Sequence, residues 1–310
     1  MRIFVAGHKG MVGSSILRLA PQEHQIVTAT RSEIDLTNSR EVKSFLLGNS
    51  IDAVVMAAAK VGGIGANAKF QKDFLVENLN LQNGILVGAS DAGVEKLIFL
   101  GSSCIYPKLA PQPIPESSLL TGILEPSNEG YALAKIAGIR LCKAIFDEQS
   151  LNFVSLMPAN LYGPNDNFNK FESHVPAALI RKFHEAKISN APEVFVWGTG
   201  KPRREFMHVD DLARACWYMF NQEVGGELIN IGTGEDLTIA KFAELIAKVV
   251  GYGGGVVYDS SMPDGTPRKL LDVNKAHSYG WKHLIELEDG LRQTYDWFVD
   301  ALAKGEVRGY

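Results

Sequence analysis

The sequence predicts an α/β fold in which a doubly wound parallel sheet is joined to a second, smaller α/β domain. Three observations support this prediction. Short apolar runs alternate with helical stretches through the first half of the 310 residues, a pattern typical of a sheet with helices on both faces. A glycine-rich segment directly follows the first apolar run, and the regular alternation loosens after Gly163.

The elements of the first half follow from this alternation. The apolar runs predict strands at Arg2–Ala6, Gln25–Thr30, Asp52–Ala58, Lys96–Gly101 and Asn152–Met157. The stretches between them predict helices at Met11–Leu19, Ser39–Leu47, Phe74–Ala92 and Tyr131–Glu148. Because crossovers between parallel strands are right-handed, these units wind into one sheet covered on both sides.

The second half is less regular. Pro, Gly, Asn and Lys become frequent, and predicted strands such as Val194–Trp197 and Glu227–Ile231 are isolated. We therefore expect a first domain over residues 1–165, with a returning segment near 205–236, and a second, interleaved domain over 166–310. Open α/β sheets bind ligands at the carboxyl ends of their strands, so the ligand cleft is expected between the two domains.

Composition and charge exclude several classes of protein. A chain with 46% hydrophobic and 21% charged residues is neither disordered nor collagen-like. A net charge of -4 argues against a nucleic-acid partner. The longest apolar runs, such as Ala53–Ala59, are far shorter than the roughly 20 residues that cross a bilayer, so no membrane partner is expected.

The cysteines and the N-terminus indicate a cytoplasmic protein. Cys104, Cys142 and Cys216 are too few and too scattered for a disulfide framework or a zinc site, and the histidines show no metal-ligand spacing. We therefore expect no bound metal. The chain runs straight into a predicted strand, without the apolar region and cleavage site of a signal peptide, as expected of a cytoplasmic protein.

The segment after the first strand has the spacing G-x-x-G-x-x-G. It reads Gly7-His8-Lys9-Gly10-Met11-Val12-Gly13 and opens a helix. In such a turn, the first glycine permits a tight bend, the second lets the backbone approach a pyrophosphate, and the third allows close helix–strand packing. The helix N-terminus then faces the anion. The segment predicts a Rossmann-type dinucleotide site, the alternative being a merely tight turn.

The end of the second strand favours NADP(H) over NAD(H). An NAD-binding protein usually has an acidic residue there to hold the ribose hydroxyls. Here the strand ends Ala29-Thr30-Arg31, and Lys9 lies in the glycine-rich turn. Two cations suit a 2′-phosphate, although Arg31 could also be a solvated loop residue. Asp35 and Leu36 follow, where an adenine edge could rest.

Tyr131 and Lys135 form a Y-x-x-x-K pair on a predicted helix. Residues four apart share a helix face, so the ammonium is expected beside the phenol and to lower its pKa. Tyr131 is then a candidate acid/base toward a carbonyl or alcohol oxygen. Such pairs are common by chance, but Ser102 follows the Lys96–Gly101 strand and brings a hydroxyl to the same edge of the sheet.

These residues resemble the extended short-chain dehydrogenase/reductase family of nucleotide-sugar enzymes. Within it, the chain is similar to the bifunctional 3,5-epimerase/4-reductases of GDP-4-keto-6-deoxy-D-mannose. The resemblance covers nearly the whole chain. It rests on Gly7–Gly13, Ala57–Gly63, Gly101–Pro107, Tyr131–Lys135, Pro158–Pro164, Val196–Gly198, Arg204–Asp211 and Pro263–Asp272.

The resemblance implies the catalytic roles. Cys104 is the implied base and His174 the implied acid for inversion at C3 and C5. Tyr131, Lys135 and Ser102 are implied in reduction of the C4 ketone by NADPH. From the residues alone, Cys104 would be interpreted as a buried structural cysteine and His174 as a loop histidine.

The resemblance also implies binding residues and a homodimer formed through the first domain's long helices. The implied cofactor contacts are Gly7 to Gly13, Arg31, Asp35, Leu36, Ala58, Lys135, Pro158, Ala159, Asn160, Leu161 and His174. The implied contacts with the GDP-sugar are Asn160, Lys182, Trp197, Arg204 and Lys269. Lys9 and Lys182 stand where related sequences often have Arg, which keeps the charge and loses the bidentate fork. Arg203 and Arg268 have no such support and are expected to be surface residues.

Two alternatives remain. The first is a different nucleotide-sugar epimerase or reductase, although 4,6-dehydratases of the family carry an Asp-Glu pair where this chain has Ser103-Cys104. The second is a non-catalytic NADPH-sensing regulator on the same fold. A sensor would be expected to lose Tyr131, Lys135 or Ser102, and all three are present.

Overall fold

The computed structural model describes residues 1–262 and 264–310, with only the backbone of Ile64. Pro263, the first residue of one of the family-like segments, lies outside the described residues. The strands are β1 (Arg2–Ala6), β2 (Gln25–Val27), β3 (Ala53–Met56), β4 (Lys96–Leu100), β5 (Asn152–Pro158), β6 (Asn160–Tyr162), β7 (Glu193–Trp197), β8 (Arg203–Arg204), β9 (Phe206–His208), β10 (Leu228–Ile231), β11 (Leu237–Thr238), β12 (Gly255–Asp259) and β13 (Arg268–Lys269).

The helices connect these strands. They are α1 (Met11–Arg18), α2 (Ser39–Gly48), α3 (Ile64–Lys69), α4 (Gln71–Asp91), α5 (Glu129–Gln149), α6 (Val175–Ile188), α7 (Val209–Phe220), α8 (Ile239–Val250), α9 (Asn274–Ser278) and α10 (Leu287–Ala303). Single 3₁₀ turns lie at Ser103–Ile105, Glu116–Ser118 and Pro126–Asn128. Among the described residues, no helix combines the length and apolar composition that a membrane crossing requires.

The central sheet has six strands in the order β10-β5-β4-β3-β1-β2, all parallel. This confirms the predicted doubly wound α/β class. The strand order changes sense between β1 and β3, because β2 is added on one side of β1 and β3 on the other. The carboxyl ends of β1 and β3 therefore form the crevice where such sheets bind ligands. Strand β10 pairs with β5, and β7 pairs with β12, so the interpretation of Glu227–Ile231 and Val194–Trp197 as isolated strands is wrong. Each partner strand lies some sixty to seventy residues away in the chain, beyond the reach of local pattern.

Most first-half elements match their predictions, and the differences have local causes. Strand β2 stops at Val27 rather than Thr30, because the chain turns where the Thr30 backbone N–H donates to the Glu33 carboxylate at 2.7 Å. Helix α2 begins after Asn38, whose side chain accepts from the N–H groups of Arg40 and Glu41. Helix α3 was not predicted.

Among the described residues, the buried apolar side chains form two clusters. The larger surrounds the six-stranded sheet and includes Leu271, Val273 and Trp281 from the last third of the chain. The smaller is rich in aromatic rings, among them Phe206 and Phe242, stacked with centroids 3.8 Å apart. The smaller sheets accompany this second cluster: β11-β8-β13, β12-β7 and β6-β9. Residues at the carboxyl ends of β1, β3 and β4 lie where the part of the chain around the six-stranded sheet meets the part that carries the smaller sheets.

Candidate active site

The glycine-rich turn packs tightly against the end of β3. Gly7 has φ +88°, and a Cβ there would stand 2.6 Å from the Ala58 backbone nitrogen. A Cβ on Gly13 would collide with the carbonyl oxygen of Gly7, whereas one on Gly10 would meet only that oxygen at 3.5 Å. Gly10 caps α1 without a side-chain hydrogen bond, which leaves the helix N-terminus open to an anion. This cradle fits a dinucleotide pyrophosphate.

The end of β2 brings together charges of both signs. Lys9 and Arg31 are both exposed. Glu33, which the sequence interpretation missed, accepts hydrogen bonds of 2.7 Å from the Thr30 N–H and hydroxyl. These bonds, with His8 and Lys9 nearby, hold the pKa of Glu33 below its ordinary value. A carboxylate therefore lies close to Lys9, one of the two cations expected at the 2′-phosphate.

The predicted adenine contacts lie on the next turn. Asp35 accepts from the Thr37 N–H at 2.9 Å and from its hydroxyl at 2.8 Å, so its carboxylate shapes the turn, and these bonds lower its pKa. Leu36 is partly buried, and α4 passes so close that a Cβ on Gly84 would collide with the Leu36 carbonyl oxygen.

Lys135 and Tyr131 lie side by side on α5, as the i, i+4 spacing predicts. The Lys135 Nζ is 5.8 Å from the Tyr131 ring centroid and donates to the Leu100 carbonyl oxygen at 2.8 Å. Burial lowers the pKa of Lys135 to about 8. The expectation that Lys135 lowers the pKa of Tyr131 is wrong for this structure: burial, together with the neighbouring Cys104, raises the pKa of the phenol. Desolvation outweighs an ammonium that is already engaged by a carbonyl.

Cys104 lies directly beyond β4, in the 3₁₀ turn that Ser102 caps. The Ser102 hydroxyl oxygen accepts from the Cys104 N–H at 3.4 Å, and Cys104 is buried, with 5% of its surface exposed. Burial raises the pKa of the thiol, while the charges of Lys269 and Lys135 oppose that rise. Cys104 and Lys269 line one small cavity, together with Lys108, Glu125 and Thr266.

His174 lies in the second half of the chain, at the N-cap of α6. Its side chain remains open to solvent, yet the protein around it lowers the pKa of the imidazole. The segment before it contacts the turn after β3, where the Gly63 N–H donates to the Glu172 carbonyl oxygen at 2.8 Å.

The proposed substrate residues fall into two places. The Lys182 Nζ lies 5.4 Å from the Trp197 ring centroid and donates to the Phe195 carbonyl oxygen at 3.0 Å. Arg204 and Lys269 are register partners in the parallel pair β8–β13, and burial lowers the pKa of both. The first place offers the flat apolar face of Trp197 with the Lys182 ammonium beside it. The second offers the adjacent cations of Arg204 and Lys269.

Glu205, next to Arg204, is a buried carboxylate that the sequence interpretation missed. It accepts from the N–H groups of Thr233 at 2.6 Å, Gly234 at 2.8 Å and Leu271 at 2.9 Å. Its backbone carbonyl accepts from the Asn160 side chain at 2.8 Å. Glu205 therefore ties together the segments that carry Asn160, Arg204 and Lys269. It lies between β8 and β9, directly after Arg203 and Arg204, where nothing in the local sequence marks it as buried.

Two further arginines share one carboxylate. Arg203 and Arg268 both pair with Asp236, at 2.6 Å and 2.5 Å, and both side chains are 42% exposed, as expected of surface residues. Arg268 also lines the cavity that contains Cys104 and Lys269, so it is not a surface residue alone.

The structure thus brings Ser102, Cys104, Tyr131, Lys135 and Lys269 into one cluster at the carboxyl end of β4. The glycine-rich turn adjoins the cluster at the neighbouring ends of β1 and β3, together with Ala58. Pro158 ends β5, the strand beside β4, and Ala159 to Leu161 follow it. Arg31, Asp35 and Leu36 lie apart at the end of β2, and Lys182 with Trp197 lie apart on α6 and β7.

Comparisons with known proteins agree with this geometry. Residues 3–232 match the profile of the "NAD dependent epimerase/dehydratase family". A GDP-L-fucose synthase of Escherichia coli K12 is 52% identical over 312 residues, covering 96% of this chain and 97% of that protein. GDP-L-fucose synthase 1 of Arabidopsis thaliana is 53% identical over 300 residues, covering 96% and 93%.

A solved structure is similar to this chain over nearly its full length. A GDP-L-fucose synthetase from Naegleria fowleri bound to NADP superimposes with a TM-score of 0.88 at 29% identity, covering 98% of this chain and 96% of that one. By its profile and its full-length relatives, this chain belongs to the NAD dependent epimerase/dehydratase family.

Proposed function

We propose that the chain converts GDP-4-keto-6-deoxy-D-mannose to GDP-L-fucose, by inversion at C3 and C5 followed by NADPH-dependent reduction at C4. The single observation that carries the proposal is the cluster at the end of β4. There a serine, a thiol, a phenol and an ammonium lie together beside a dinucleotide cradle, with the thiol and the ammonium buried. The full-length relatives named GDP-L-fucose synthase support the same reaction.

The first reaction needs a base and an acid on two sides of the sugar ring. The C4 ketone acidifies the protons on C3 and C5, so the thiolate of Cys104 removes a proton from carbon and an enolate forms. The Ser102 hydroxyl donates to the enolate oxygen, and His174 returns a proton from the opposite face. Lys269 and Lys135 favour the thiolate, against the burial that raises the pKa of Cys104.

The second reaction uses the same oxygen. When bound, NADPH supplies the hydride that C4 receives. The Tyr131 phenol protonates the emerging alkoxide while Ser102 keeps its hydrogen bond to that oxygen. Lys135 stands beside the phenol, where its charge partly offsets the burial that disfavours the phenolate that remains. One oxyanion site thus serves both reactions.

The cofactor and the GDP portion are held by residues outside this cluster. The turn from Gly7 to Gly13 fits the pyrophosphate, and Lys9 with Arg31 fits the 2′-phosphate. The relative solved with NADP supports this choice. Trp197 offers its face to the base or ribose, with Lys182 beside it, while Arg204 and Lys269 attract the diphosphate. Asn160 is proposed to contact the sugar.

The proposal extends to assembly, domains and location. A homodimer is supported by the exposed apolar residues Val76 on α4 and Leu133 on α5, which are 44% and 43% exposed. The larger apolar cluster supports a first domain over residues 1–165 with a returning segment near 205–236, and the smaller cluster supports a second domain within 166–310, of which Leu271, Val273 and Trp281 pack in the larger cluster. Three buried free cysteines, Cys104, Cys142 and Cys216, fit a reducing cytoplasm.

A direct assay tests the reaction. The purified chain is mixed with NADPH and GDP-4-keto-6-deoxy-D-mannose, the loss of reduced nicotinamide is followed by absorbance, and the product sugar is identified by NMR. GDP-L-fucose formed in equal amount to the NADPH consumed is the expected result. No oxidation by a folded sample that binds NADPH would remove the proposal, and a reduced sugar other than fucose would indicate a different nucleotide-sugar reductase.

A further inference from the structure

The turn that follows β3 touches the segment that carries His174. The Gly63 N–H donates to the Glu172 carbonyl oxygen at 2.8 Å. A Cβ built on Gly63 would stand 2.6 Å from the Ser173 carbonyl oxygen and 3.4 Å from that of Glu172. Gly63 has φ −64° and ψ 176°, which any residue adopts. Glycine is therefore required here by space and not by backbone conformation.

The turn itself is held firmly. The buried Asn67 side chain donates to the carbonyl oxygens of Gly62 at 2.6 Å and Gly63 at 3.1 Å. The Asn78 side chain accepts from the Lys60 N–H and donates to the Lys60 carbonyl, both at 3.0 Å. A side chain added at Gly63 would therefore displace Ser173 more readily than it would displace the turn.

The other side of the turn reaches the reductive residues. A Cβ on Gly62 would lie 3.1 Å from the Phe74 ring, and Phe74 packs edge-on against Tyr131 with centroids 6.3 Å apart. The turn thus stands between Tyr131 and the residues that lead into His174. Gly63 faces only the His174 side, so an added methyl group acts there and leaves Phe74 in place.

We propose that Gly63 is a positioning residue for His174: its lack of a side chain lets residues 172–173 seat against the turn and sets where the imidazole stands. Ser173 directly precedes His174, so moving its carbonyl oxygen rotates the peptide that leads into the N-cap of α6. This proposal rests on the proposed function, in which His174 supplies the proton for epimerisation.

The test compares Gly63→Ala with Gly65→Ala, a matched control in the next turn. A Cβ on Gly65 would meet only the Phe171 carbonyl oxygen, at 3.9 Å, an ordinary contact. Epimerisation is measured as deuterium entering C3 and C5 of GDP-4-keto-6-deoxy-D-mannose in heavy water without NADPH. Reduction is measured separately as NADPH oxidation, with the keto sugar first equilibrated by the wild-type chain and freed of protein by filtration.

We expect Gly63→Ala to slow deuterium entry by at least about tenfold while reduction of the equilibrated sugar changes by less than about threefold. Gly65→Ala should match the wild type in both. The His174 imidazole resonance, assigned by its loss in His174→Gln, should titrate at a different pH in Gly63→Ala. Unchanged deuterium entry would overturn the proposal, and so would an equal loss of both reactions.

Misfolding of the variant and failure of the proposed function can be told apart. If Gly63→Ala does not fold, as judged by circular dichroism and NADPH binding, Ser173→Gly replaces it. That variant loosens the peptide that seats against Gly63 and leaves the turn intact, so it should show the same selective loss, and an equal loss of both reactions would again overturn the proposal. If the wild-type chain itself incorporates no deuterium, the proposed function fails.

Discussion

The Lys135 ammonium donates a 2.8 Å hydrogen bond to the carbonyl oxygen of Leu100, the last residue of β4. This bond fixes a buried positive charge at the carboxyl edge of the sheet, two residues before Ser102. It also holds the Nζ at 5.8 Å from the Tyr131 ring centroid. The Tyr131–Lys135 pair on α5 and the end of β4 are therefore held together, and the charge state of Lys135 should govern reduction.

The first prediction concerns pH. Burial lowers the pKa of Lys135 to about 8, so its charge is complete at neutral pH and is lost as the pH rises through that value. We expect kcat/KM for reduction of the equilibrated keto sugar to fall above about pH 8. Lys135→Arg keeps its charge at every accessible pH, so its lower rate should show no such fall. The same alkaline limb in both chains would assign it to another group.

The second prediction concerns the thiol. Cys104→Ser keeps the shape of the site and replaces a thiol by a hydroxyl that is far harder to ionise. We expect deuterium entry at C3 and C5 to fall by roughly 10²–10⁴-fold, with NADPH binding retained. Cys216→Ser, a matched change at a buried cysteine in α7, should leave exchange unchanged. Normal exchange in Cys104→Ser would show that another group is the base.

The third prediction concerns the nucleotide. Trp197 is 56% exposed, and its ring faces the Lys182 ammonium at 5.4 Å. Stacking of a base on an aromatic ring contributes about 1–3 kcal/mol, so Trp197→Ala should weaken GDP binding roughly tenfold to a hundredfold in titration calorimetry. Binding of NADPH, measured in the same preparation, should not change. Unaltered GDP affinity would place the base elsewhere.

The fourth prediction concerns stability. Burial raises the pKa of Asp166 to about 7 from its ordinary 3.8, and one oxygen accepts from the Asn167 N–H at 2.7 Å. Because the folded pKa lies above the unfolded one, folding favours the protonated acid. Its contribution is complete below about pH 4 and is lost as the pH rises through about 7.

Asp166→Asn removes this titration. The free energy of unfolding of the variant, relative to the wild type, should therefore rise between about pH 4 and about pH 7, by at most about 4 kcal/mol, and stay level above that range. Urea denaturation at several pH values measures the difference. A difference that stays constant with pH, or that shrinks, would contradict the prediction.

The sequence predicted those parts of the fold that depend on neighbouring residues. The parallel strands, the turn from Gly7 to Gly13 and the adjacency of Tyr131 and Lys135 all follow from spacing, and the structure confirms them. The roles of Cys104 and His174 came from resemblance, because a buried thiol and a loop imidazole have no distinctive spacing.

Long-range contacts could not be predicted in this way. Strand β10 pairs with β5, and Glu205 binds N–H groups about thirty and sixty-six residues later. The space requirement at Gly63 arises from Ser173, which is 110 residues away in the chain. The pKa of Tyr131 also depended on burial, which no spacing rule reports.

One isotope experiment tests the central claim most directly: that a thiol and an imidazole invert two carbons before a phenol completes the reduction. The wild-type chain, NADPH and GDP-4-keto-6-deoxy-D-mannose are combined in heavy water, and the purified product is analysed by NMR. The structure predicts GDP-L-fucose with deuterium at both C3 and C5. Consumption of NADPH with protium retained at both carbons would contradict it and leave a simple C4 reductase.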